Sequence, residues 1–204
     1  MKISTACRAA LVAASALTVL APTQSFAAEA PACTTENIAY LDAQDKQEDA
    51  ESDAVAARRA YDQAAADQQT LDDTAAKGYD LYQAARGLVE FDAAKKVHDA
   101  AERGDSAGVA DAAVAEADAA QKALDAGVPD HVIDDSPFIE AEMKGLITQL
   151  RAKAEDARKV AGPVPNLNGL RHDVATKLSA QADAIKAVRP ARDAYRDCLA
   201  KANA

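Results

Sequence analysis

Small and apolar residues return with a helical period along most of this chain. From Thr34 onward Ala43, Ala50, Ala57, Ala64, Leu71, Gly78 and Ala85 are spaced by seven. A second line runs four residues on, through Gln47, Ala54, Tyr61, Gln68, Ala75, Tyr82 and Val89. Two such lines form the inward stripe of a helix lying along a partner helix. Thr34 or Thr35 is an N-cap type, Glu36 suits the positive end of the helix dipole, and Gly104 is a stop signal. The unbroken register predicts one helix over about 35–103, with Gly78 and Gly87 as weak points. The seam is mostly alanine, so the packed axes approach closely.

Three further helices follow. The segment 106–126 carries Val109, Ala113, Ala117, Ala120 and Leu124 on one face and ends at Gly127. The segment 137–161 opens with Ser136-Pro137, an N-cap and first-turn pair. Its stripe is Ile139, Met143, Leu146, Leu150, Ala154 and Ala157, and Gly162-Pro163 ends it. The segment 170–201 presents Val174, Leu178, Ile185, Val188, Tyr195 and Leu199, with Pro190 as an expected kink. No run alternates apolar and polar residues in the manner of a strand. The expected fold is all-α: an elongated antiparallel helical bundle or alanine-rich coiled coil of about four helices.

Composition sharpens this picture. Bulky aliphatic residues are scarce and the net charge is −10, a combination that by itself suggests disorder. Alanine, the best helix former, supplies 54 of the 204 residues and tips the balance back toward folded helix. The acidic balance excludes a nucleic-acid binder that neutralises phosphate. With aromatic residues at 4% and no Trp, a stacking platform for bases or sugars is excluded as well.

The first 27 residues have the layout of a signal peptide. Lys2 and Arg8 precede an apolar run from Ala9 to Ala21, too short for a membrane span, and Ser25-Phe26-Ala27 fits a cleavage site. No later segment is apolar enough for stable membrane insertion. The expectation is an exported chain of residues 28–204, secreted, extracellular or wall-associated. It retains two cysteines, Cys33 and Cys198, which in an oxidising compartment pair as one disulfide near the two chain ends. An even number of antiparallel helices brings those ends together.

Most motif matches have plain structural explanations. Gly104-Asp105-Ser106-Ala107-Gly108 matches the nucleophile elbow of α/β hydrolases, which requires a preceding strand that is missing here. Arg103-Gly104-Asp105 is an adhesion tripeptide on a turn, and also an ordinary helix end, stop and cap. Asp130, His131, Asp134 and Asp135 are weak metal candidates in an acidic linker without the spacing of a calcium loop. Arg58 with Asp62, Lys95 with Asp99, and His98 with Glu102 are helical side-chain pairs. An all-α enzyme clamping an anion with Arg86, Lys95, Lys96 and Arg103 is disfavoured, because those positions spread around the helix.

The expected function is therefore a secreted, non-enzymatic helical interaction or structural protein of a bacterial envelope or extracellular space. It needs no cofactor and no nucleic acid. Its partners are other proteins, a second copy of the chain included. A helical-bundle carrier of haem, lipid or a cation is one alternative, with His98 and Met143 as the nearest ligands. Host adhesion through Arg103, Gly104 and Asp105 is another.

Overall fold

The computed structural model describes residues 33–85, 90–127 and 136–204. The expected signal peptide, Arg86, Gly87, Val89 and the Asp130, His131, Asp134 and Asp135 group lie outside these residues. The described chain is all-helical, with five helices and no strand: α1 (Thr34–Ala84), α2 (Phe91–Glu102), α3 (Ser106–Asp125), α4 (Ser136–Lys159) and α5 (Leu167–Ala202). No helix among them is long and apolar enough to cross a membrane.

The 51 residues of α1 make a rod about 76 Å long. Its inward face follows the two seven-residue lines of the sequence: Ala43, Ala54, Ala57, Ala64, Leu71, Ala75 and Gly78 are all buried. The single helix expected over 35–103 is two helices, α1 and α2. The chain leaves α1 at Ala85, whose N–H still donates to the Leu81 carbonyl, and re-enters helix after Glu90 in extended conformation. The reason lies in the second segment. Ala94, Val97, Ala100 and Ala101 are buried, the last three in the same core as Leu71, Ala75 and Leu81. In one continuous helix they would project beyond the partners that cover them, so reversal buries apolar surface that continuation leaves wet. The matching register across residues 85–89 is coincidental.

The far half of α1, with α2, α3 and α4, encloses the core. Val109, Ala113, Ala117 and Ala120 of α3 meet Met143, Ile147, Leu150 and Ala154 of α4. The near half of α1 pairs with α5 alone and forms an arm. Asp73 to Lys153, Asp53 to Lys177, and Cys33 to Cys198 follow one antiparallel register along α1. Thus α4 and then α5 form one interrupted partner running back along the rod. The break is the segment from Val160 to Asn166, where Gly162 takes φ 80°. This return path, and not an even helix count, brings the chain ends together.

The expected disulfide is present. Cys33 and Cys198 are bonded with Cα atoms 5.8 Å apart, and farther along the arm Tyr40 and Tyr195 stack with ring centroids 6.3 Å apart. Helix α5 runs unbroken through Pro190 and starts three residues before the expected boundary. The Asn166 side chain caps it by accepting from the N–H groups of Asn168 and Gly169.

Candidate functional site

Four places in the molecule carry chemistry or surface beyond what packing requires. The first is the arm. Helix α5 turns Val174, Gln181, Val188 and Tyr195, with Leu170, Lys177, Ala184 and Cys198, toward α1, yet none of its residues is buried. Beside that stripe runs a third apolar line, Leu178, Ile185 and Leu199, which remains exposed; Ile185 is 49% exposed. On α1 the residues beside the inward stripe include Leu41 and Val55, also exposed. An antiparallel pair brings corresponding flanks of its two helices to the same side. Those five aliphatic side chains therefore share one flank of the arm. The opposite flank carries one exposed aliphatic side chain, Ile38, among alanine and polar residues such as Ala60 and Ala187.

The second is the turn between α2 and α3. Gly104 has φ 65°, and its carbonyl accepts from the N–H of Val164 at 2.8 Å. The Asp105 carboxylate accepts from the Gly108 N–H at 2.9 Å and so caps α3. The Ser106 hydroxyl is buried and donates to the Gly162 carbonyl at 3.0 Å. The elbow-like pentapeptide thus joins two helices and pins the α4–α5 connection. Of the adhesion tripeptide, Arg103 is exposed, Gly104 is buried, and the Asp105 carboxylate is committed to the cap.

The third is Glu116 on α3. It is fully buried, and neither carboxylate oxygen has a hydrogen-bond partner among the described residues. It lies against Gly78 of α1, where a side chain would leave it no room, and that position's neighbourhood also holds Val97 of α2. Burial pushes its carboxyl up to about 7. An α3 stripe traced through Ala117 misses this residue. Glu116 follows Val109 by seven and Ala113 by three, a core position, and an acid there is the signal that the sequence does carry.

The fourth is a cleft of about 490 Å³ between α1 and α2, walled by Ala75, Ala76, Tyr79 and Ala94. Asp72, Lys95 and His98 stand at its edge, with Lys95 paired to Asp99 at 2.5 Å and His98 to Glu102 at 3.3 Å. His98 is at the surface while Met143 is wholly inside the core, so the two ligand candidates occupy different environments. Among the described residues no group of three His, Cys, Asp or Glu side chains is arranged to hold a metal ion. Comparison with known protein families, with characterised proteins and with solved structures finds no match to this chain.

Proposed function

We propose that this is an exported, non-enzymatic helical interaction protein of a bacterial envelope or extracellular space. In this reading the molecule is an elongated, alanine-rich antiparallel assembly whose α1–α5 arm docks onto another helical surface. The observation that carries it is the state of α5. A helix of 36 residues with a three-line apolar face has no buried residue, and its third line stands in solvent. Such a face is the pattern of a helix covered on two sides, whereas α1 covers one. Exposed aliphatic residues gathered on one flank of an arm mark an interaction surface more than scattered ones do. The leader-like N-terminus and the cystine clamp support export, since a disulfide persists in an oxidising compartment.

The test is site-specific photo-crosslinking in the native host. A crosslinker at Ile185 is expected to give a discrete covalent protein adduct, and one at Ala187, on the opposite flank, is expected to give none. No adduct at Ile185, or equal adducts at both positions, overturns the reading.

A further inference from the structure

We infer that α5 is a hinged strap over α1 and that the Cys33–Cys198 cystine is its latch, opened by thiol–disulfide exchange with a dithiol. The inference is independent of what docks on the arm. The two ends of α5 are held differently. At its start, the connection from α4 is pinned to the turn between α2 and α3. The Ser106 hydroxyl donates to the Gly162 carbonyl at 3.0 Å, and the Val164 N–H donates to the Gly104 carbonyl at 2.8 Å. At its end, Cys198 is bonded to Cys33. Between these points α5 has no buried residue, and beyond Cys33 the buried residues of α1 along it are the alanines Ala43, Ala54 and Ala57. Each has one methyl group to bury, so the contact stabilises little per residue. The Lys177–Asp53 ion pair lies at the surface, where such pairs contribute little. Pro165 and Asn166, both exposed, lie between the pin and the first turn of α5 and form the pivot of a released strap.

The surroundings of the cystine set the order of exchange. Cys33 is buried and stands at the N-cap position of α1, with no side-chain cap hydrogen bond. The first-turn N–H groups and the positive end of the helix dipole stabilise a thiolate there, with Glu36 in the same turn opposing them in part. Cys198, near the last turn of α5, is half-buried and is the more open of the two. A thiolate of the dithiol therefore attacks the Cys198 sulfur. The cystine bond breaks, and its electron pair leaves on Cys33, the better leaving group. The second thiolate of the reductant then attacks the reductant's own sulfur in the mixed disulfide and expels Cys198. The dithiol departs as a disulfide, having given two electrons and two protons to the two cysteines. With the latch open, Val174, Val188 and Tyr195 of α5 and the alanine lines of α1 come into solvent while the pin still tethers the strap.

The test uses the purified, oxidised protein without denaturant. Dithiothreitol is expected to reduce the cystine under these native conditions. Amide hydrogen exchange in residues 167–202 is then expected to rise about tenfold or more, with exchange in residues 106–125 unchanged. Removing the reductant and reoxidising the protein is expected to restore the protection. Brief exposure to glutathione, a monothiol, followed by an acid quench is expected to trap the mixed disulfide on Cys198. Reduction that requires denaturant, or a reduced protein that keeps its protection in residues 167–202, overturns the latch. Protection lost in residues 106–125 together with residues 167–202 overturns the strap, because arm and core then open as one. A glutathione adduct on Cys33 overturns the order of attack.

Discussion

The Oε2 atom of Glu116 lies 2.7 Å from the point where a β-carbon on Gly78 would stand. The glycine therefore makes room inside the core for a carboxyl group that has no hydrogen-bond partner among the described residues. Helix propensity alone favours Gly78→Ala by about 1 kcal/mol, but the added methyl must displace a buried side chain end. The expected result is destabilisation of about 1–2 kcal/mol in the wild type. In a Glu116→Ala background the same change is expected to stabilise by about 1 kcal/mol, because the obstruction is gone. Denaturant titration of the four proteins in this cycle measures the coupling directly. The same sign in both backgrounds would show that the two residues do not compete for space.

Glu116 also sets a pH dependence. Its carboxyl is held near 7 in the folded protein against an ordinary 4.5, through burial. Between those values the folded state keeps a proton that the unfolded chain has released. Stability contributed at low pH is therefore lost as pH rises through this window, by about 3 kcal/mol in all. Above pH 7 this contribution levels off, because both states are ionised. Unfolding midpoints measured from pH 5 to pH 8 should fall in the wild type. Glu116→Gln, which cannot ionise, should flatten that slope.

The inward stripe of α1 was legible because a seven-residue repeat of alanine has one physical use, and every buried residue from Ala43 to Gly78 except Thr74 falls on the two lines read from it. The disulfide was legible from the count of two cysteines after residue 27. The reversal between α1 and α2 was not, because Ala85 and Val89 continue the register locally while the decisive fact is distant. Val97, Ala100 and Ala101 find their cover on α1 and α3, and no local pattern records that. The arm flank was half legible. Leu178, Ile185 and Leu199 were placed on an apolar face, but which of its three lines α1 would cover depends on the antiparallel register. Glu116 was hidden by its neighbour Ala117, which fits a small-residue stripe equally well.

The cystine clamps the element that packing holds least. Closing a loop with sequence separation 165 is worth about 5 kcal/mol in the chain-entropy model. Because α5 has no buried residue, the bond's loss should release α5 before the core enclosed by α2, α3 and α4 opens. Cys33→Ser/Cys198→Ser should lose about a quarter of the helical circular dichroism signal in a first, low-temperature step, the share contributed by α5. Hydrogen exchange should place the early loss in residues 167–202. A single cooperative transition at lowered temperature would mean that the arm and the core unfold together.

The turn at Gly104 and Asp105 separates adhesion chemistry from helix-capping chemistry. Asp105→Ala removes the acceptor for the Gly108 N–H and should cost about 1 kcal/mol. Asp105→Asn and Asp105→Ser retain an oxygen that can accept at the cap and should recover most of that stability. Neither retains the carboxylate that an adhesion receptor would read. Gly104→Ala should be worse than Asp105→Ala, by about 1–3 kcal/mol. The position has φ 65°, and an added β-carbon would come within 2.7 Å of the Val164 carbonyl oxygen. Thermal midpoints of these variants, read beside cell attachment to coated protein, divide the two roles. Stability that follows the capping series, with no attachment lost in Asp105→Asn, assigns the tripeptide to the fold. Attachment that disappears in Asp105→Asn while stability is retained would assign it to a receptor.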